Sequence, residues 1–198
     1  MKKWVNPYTF AFVVGAAILT ALPILQRRFL SAPPPIGAWG QWQLRSVDDG
    51  KAASEQTFAG KVVMVNFVPS ECDSQCLERV VEIGKGLEHT DDLGDKVAIV
   101  TLAWPPASQT LLGRAQGRWQ VLSGDGAQLK ALFGRLRAAW EIFAHTDAGD
   151  SPEAFATLPA IMVVDQLGAI RGFWKGDEVG RGNAINAARL LAKEGPNP

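Results

Sequence analysis

The chain has 198 residues, 47% of them hydrophobic, with 20 basic and 20 acidic side chains and two cysteines; that length suits one domain with a substantial core, and no self-similar period points to a repeat architecture. Lys2, Lys3, Arg27 and Arg28 flank the first apolar stretch and every acidic residue follows position 31. The rest of the chain therefore carries 16 basic against 20 acidic groups, a net of −4, which leaves no basic stripe to neutralise phosphates and argues against nucleic-acid binding.

Between Lys3 and Arg27 there is no charged residue. As a helix these 23 positions would extend roughly 34 Å, enough to cross a hydrocarbon core of about 30 Å, and Pro23 near the far end is tolerated in a membrane helix. A cleaved export signal is the rival reading, with Ala32 at the cleavage site; bulky Leu30 and a proline directly after the bond disfavour it. Residues 1–30 are accordingly expected to be an uncleaved membrane anchor. The flanking charges tie, two lysines against two arginines, but Lys-Lys at the amino terminus resembles the positive end of an export signal and places the body of the chain outside the cytoplasm. Residues 31–37, SAPPPIG, read as a short, stiff linker. Residues 38–195 read as the folded domain, on the periplasmic side, where a cysteine pair can persist as a disulfide.

QWQLRSVDDGK alternates apolar and polar residues into an Asp-Asp-Gly turn, the pattern of a hairpin strand. KVVMVNFV is a denser run, expected as a strand buried on both faces. Leu77, Val80, Val81, Gly84 and Leu87 then fall on one helical face, so Cys72 and Cys76 open a helix that packs back on the sheet. KVAIVTLAW is a second buried strand, ended by Pro105 and Pro106. SQTLLGRAQG and GAQLKALFGRL predict helices, with WQVLSGD as an edge strand between them. AAWEIFAHTDAGDSPEAFAT has the mixed pattern of an inserted loop with a helical turn. LPAIMVVDQLGAIRGFWKG predicts strand, tight turn and strand, and NAINAARLLAKE a closing amphipathic helix. Strands alternating with helices predict an α/β domain whose sheet is mainly parallel, covered on both faces, with an antiparallel hairpin at the end.

Four residues apart at a helix start, Cys72 and Cys76 lie about one turn apart, within reach of disulfide closure. Unpaired helix N–H groups favour a thiolate at Cys72, while Glu71, Asp73 and Glu78 oppose it and suit a bound cation. A purely structural disulfide here would be a weak staple, because closing so short a loop removes little chain entropy. Two thiolates are also soft donors for Cu(I), a site usually completed by an imidazole. Only two histidines exist: His89, expected at the end of the cysteine-bearing helix, and His145, in the inserted loop and therefore the candidate third ligand beside Cys72 and Cys76. Trp104, Trp119, Trp140 and Trp174 are expected to pack rather than to stack on a ligand. No Ser-His-Asp set, phosphate loop or paired-His metal motif is present.

The stretches PPIGAWGQWQLRSVDDGK and FAGKVVMVNFVPSECDSQC resemble the Sco/SenC family, membrane-anchored thioredoxin-like proteins that assist copper delivery to cytochrome c oxidase. The resemblance covers roughly residues 35–193 and implies a thioredoxin-like fold, a central mixed sheet flanked by helices. It also implies a redox role for Cys72 and Cys76, and as partner an oxidase subunit with copper-site cysteines. The second half departs from the family: Leu158 or Pro159 stands where its copper-binding histidine would be, and TLAWPPASQT replaces its acidic Asp-Pro motif. LPAIMVVDQLG is instead similar to TlpA-type thioredoxins, which implies that Pro159 is cis and faces the cysteines. Three functions stay open: thiol–disulfide exchange in copper-site assembly, which makes the protein an oxidoreductase needing no cofactor; Cu(I) carriage without turnover; and a redox-inactive scaffold of a membrane complex.

Overall fold

The computed structural model describes residues 11–18, 31–88, 90–105, 107–111, 113, 115, 117–144 and 160–195. The chain divides into two compact units, Met1–Ser31 and Ala32–Pro198. In the first, residues 11–18 are helical and Phe12, Val13, Val14 and Ile18 are exposed. Most of the expected anchor lies outside the described residues, among which no helix is long and apolar enough to cross a membrane.

The second unit is built on an eight-stranded sheet: β1 (Gly37–Ala38), β2 (Gln43–Ser46), β3 (Ala52–Ser54), β4 (Val62–Val68), β5 (Val97–Ala103), β6 (Trp119–Ser123), β7 (Ala160–Val164) and β8 (Ala169–Lys175). The spatial order is β1-β8-β7-β4-β5-β6-β2-β3. Three main helices, α1 (Ser74–Glu88), α2 (Gly126–Ala144) and α3 (Glu178–Glu194), cover it.

Alternation along the strands sends side chains to two cores. Val63, Val65 and Phe67 of β4 join Leu129, Leu132, Phe133 and Leu136 of α2, with Trp39, Trp42, Phe58 and Trp104 at the margins. Val62, Met64 and Val68 join Val80, Ile83 and Leu87 of α1 and Ala188 and Leu191 of α3 on the other face. All seven residues of β4 are buried, as a dense apolar run sandwiched between helices requires, and each fully buried aliphatic side chain contributes about 1.5–3 kcal/mol.

Four expectations are corrected. The sheet is mixed rather than mainly parallel: only β4–β5 and β5–β6 run parallel, because the β7–β8 hairpin inserts antiparallel beside β4 and the amino-terminal strands close both edges antiparallel. For the same reason β6 is not an edge strand, since Arg45 and Ser46 of β2 pair with Ser123 and Leu122. The helix expected over SQTLLGRAQG is a single turn, Ala107–Thr110; Gly113 and Gly117 adopt positive φ, and the Gly113 N–H is drawn away to the Asp48 carboxylate, 3.1 Å. Finally, AAWEIFA belongs to α2, not to a loop. Ala139 is buried and Trp140 meets Phe173 edge-on at 5.2 Å, so the helix has a core to pack on well past Leu136.

The β7–β8 turn is organised by one buried carboxylate. Asp165 Oδ1 accepts from the N–H groups of Leu167 and Ala169, both at 2.9 Å, and Oδ2 accepts from Arg171 Nε at 2.6 Å. Arg171 Nη1 then donates to the Pro33 carbonyl, 3.1 Å, and Ile36 N–H donates to Ile170 O, 2.8 Å. The proline-rich segment thus runs along β8.

Candidate functional site

Strand β4 delivers the cysteines to one end of the sheet. Its last carbonyl, on Val68, accepts from Trp104 N–H at 3.0 Å, which ties the ends of β4 and β5 together. The chain then crosses Pro69, Ser70 and Glu71 to Cys72. Asp73 starts the helix: its Oδ1 accepts from Cys76 N–H at 2.8 Å and its carbonyl from Leu77 N–H at 2.9 Å, the work of an N-cap, worth about 1 kcal/mol. Cys72 therefore stands just before the cap and Cys76 lies in the first turn, at the start of the helix that the two cysteines were expected to open.

The two sulfurs form a disulfide, with the Cα atoms 5.3 Å apart, inside the range such bonds need. Both cysteines are half-buried, while Glu71, Asp73 and Glu78 around them are exposed. Such a bond is accessible to an attacking thiol from solvent. Asp73 also takes up one of the helix N–H groups that would otherwise favour a thiolate, and its carboxylate adds negative charge beside Cys72. Cys72, Leu77 and Trp174 pack at the border of the core shared by α1 and α3.

On the sheet face that α1 covers lies a polar chain inside the apolar core. Trp119 Nε1 donates to Thr101 Oγ1 at 2.8 Å, and the Thr101 hydroxyl donates to Asn66 Oδ1. Asn66 and Thr101 are paired across β4 and β5 and are 1% and 0% exposed. The order of donors is forced, because an indole N–H can only donate and a hydroxyl offers one hydrogen. Asn66 Nδ2 is consequently turned away from Thr101 and, among the described residues, has no partner; an unsatisfied buried donor costs about 1–3 kcal/mol. Gly84 lets α1 close on this chain: a Cβ there would sit 2.7 Å from the Trp119 ring. Sequence reasoning passed over Asn66 and Thr101, although a lone Asn inside VVMVNFV was the available signal.

Strand β7 begins at Ala160 and sets Ile161 opposite Asn66. Leu158, Pro159, His145 and His89 lie outside the described residues, so the candidate third copper ligand and the candidate cis proline have no described geometry. Among the described residues, no group of three or more His, Cys, Asp or Glu is placed to hold a metal ion. The two cysteine sulfurs are joined to each other. Of the tryptophans, Trp104 packs on Phe133 at 5.7 Å, Trp140 on Phe173, and Trp174 stands half-buried against the core shared by α1 and α3.

The model of the SCO1/SenC family matches residues 38–192. No curated protein matches the sequence. Among solved structures, BsSco, described as a member of the Sco family of cytochrome c oxidase assembly proteins with a disulfide switch, superposes with a TM-score of 0.58 at 12% identity, over 82% of this chain and 98% of that one. A SCO1/SenC family lipoprotein from Bacillus anthracis str. Ames gives 0.56 at 15% identity, over 81% and 97%. Yeast Sco1 with copper bound gives 0.55 at 14% identity, over 79% and 94%. At these identities the likeness establishes a shared thioredoxin-like fold, and the family match adds membership: the chain belongs to the SCO1/SenC family.

Proposed function

We propose that this protein is a membrane-tethered, periplasm-facing thiol–disulfide partner in the assembly of the copper site of cytochrome c oxidase. The observation that carries the reading is the half-exposed Cys72–Cys76 disulfide at the start of α1. The family supplies the context, since one structural relative is described as an oxidase assembly protein with a disulfide switch. Tethering is supported by the uncharged run from Trp4 to Gln26, by the exposed apolar side chains of residues 11–18, and by a relative described as a lipoprotein.

In this reading the reduced protein acts on a disulfide between copper-site cysteines of an oxidase subunit. Cys72 sulfur attacks one partner sulfur, breaking the partner's S–S bond and forming a mixed disulfide. Cys76 sulfur then attacks Cys72, closing the internal disulfide and leaving the partner with two thiols. Two electrons pass to the partner, and an external dithiol must return them. The resemblance to TlpA-type thioredoxins adds the expectation that Pro159, next to β7 in sequence, is the cis proline facing the pair.

Copper is the cargo in the second reading, which is favoured by the copper-bound relative. Here the reduced Cys72 and Cys76 hold Cu(I), with His145 as the third ligand. Leu158 or Pro159 stands where the family's copper-binding histidine would be, which favours exchange over carriage.

Cys76→Ser separates them. Loss of the resolving thiol should trap a mixed disulfide between Cys72 and an oxidase subunit, while His145→Ala should weaken Cu(I) binding by less than about tenfold, or about 1.4 kcal/mol. If no adduct forms and His145→Ala abolishes Cu(I) binding, carriage replaces exchange.

A further inference from the structure

We infer that Asn66 is a positioning residue for the cysteine pair: in the reduced protein its Nδ2 donates to the freed sulfur of Cys76 and so draws the redox equilibrium towards the dithiol. The inference rests on the thiol–disulfide reading above.

The donor is poised by its neighbours. Trp119 donates to Thr101 and Thr101 to Asn66 Oδ1, which fixes the carboxamide with its NH2 pointing away from β5. That NH2 is buried and has no partner among the described residues. A polar group held this firmly in an apolar core needs an acceptor in some state of the molecule.

The fold brings Cys76 above it. Asn66 belongs to the strand face that carries Val62, Met64 and Val68, the face covered by α1. Gly84 marks where α1 touches this face, against the Trp119 ring, whose Nε1 donates to Thr101 in the row of Asn66. Asn66 lies two residues before the end of β4, and only Pro69–Asp73 separate that end from α1, whose first turn holds Cys76. Cys76 also lies on the inner flank of α1, four, seven and eleven residues before the buried Val80, Ile83 and Leu87.

In the disulfide, the Cys76 sulfur is held towards Cys72. Reduction breaks that bond: a dithiol or two glutathiones give up two electrons and two protons, becoming a disulfide, and two thiols form. The Cys76 side chain is then free to rotate towards Asn66, and sulfur accepts a hydrogen bond.

The test is the equilibrium of the full chain, in detergent, with a glutathione redox buffer, for wild type, Asn66→Leu and Thr101→Val. Both variants should shift the constant towards the disulfide by about threefold to tenfold, a tenfold change being about 30 mV for a two-electron couple. A purely structural Asn66 would destabilise both redox forms alike, so constants within about twofold of wild type overturn the inference. Should the variants not fold, wild-type protein decides: the Asn66 side-chain amide resonances must move between oxidised and reduced forms, and unmoved resonances overturn it as well. Trapping with Cys76→Ser is independent of these readouts, so a redox shift without a trapped partner refutes exchange while leaving the Asn66 contact in place.

Discussion

Asp165 offers the sharpest test of the packing argument, because one carboxylate serves three donors at the β7–β8 turn. Its side chain is 2% exposed and that of its partner Arg171 13%, so solvent screens the pair little. Asp165→Ala strands the guanidinium in that site and removes the acceptor for the Leu167 and Ala169 N–H groups. Breaking a buried pair by removing one partner costs about 3–5 kcal/mol. For a domain of this size each kcal/mol moves the melting temperature by about 2–4 °C, so a fall of roughly 6–20 °C is expected in a circular-dichroism melt. Asp165→Asn keeps an oxygen for the two backbone donors and should be milder. Arg171→Met leaves the carboxylate unpaired and should cost nearly as much as Asp165→Ala. In Asp165→Asn with Arg171→Met no charge is stranded, and the pair should recover a large part of the loss. The proline-rich segment gives a second readout, since Arg171 holds the Pro33 carbonyl; protease cleavage around residues 32–36 should accelerate in Arg171→Met. A drop below about 1 kcal/mol for both single changes, the size of a surface pair, would refute the claim that this pair acts as a buried one.

Gly84→Ala should destabilise despite the better helix former, because a contact of 2.7 Å with the Trp119 ring forces an overpacking cost of about 1–3 kcal/mol against a propensity gain of about 1 kcal/mol; a raised melting temperature would show that the helix shifts freely. Asp73→Ala should remove the cap of α1 and cost about 0.5–2 kcal/mol, with faster amide exchange at Cys76 as its local signature; unchanged exchange there would count against the cap. Lys51 holds the Asp49 carboxyl down at about 2 by a side-chain hydrogen bond, so Lys51→Met should return it towards 3.8 in an NMR titration. Because the folded value is depressed, whatever stability this pair contributes is present above the unfolded carboxylate value and lost as pH falls through the folded one; a titration unmoved by Lys51→Met would refute the assignment.

The amino-acid sequence by itself determined the local frame of the site. VVMVNFV is too uniformly apolar for anything but a strand buried on both faces, the helical spacing of Val80, Val81, Gly84 and Leu87 announces α1, and VVDQLG announces the β7–β8 turn; so the cysteines were legible at the junction of strand and helix, and their family with them. What tertiary structure alone decided are the relations between distant segments. Residues 45–46 pair with residues 122–123 and make β6 an interior strand, while Phe173 gives Trp140 a surface on which α2 can continue. Asp73, read as a charge beside Cys72, proved to be the cap that leaves Cys72 outside the helix. Asn66, Thr101 and Trp119 become one buried chain only when β4, β5 and β6 align. Periodicity and capping act over a few residues and are written in order along the chain; hydrogen bonds and contacts between strands far apart in sequence depend on register, which no local pattern encodes.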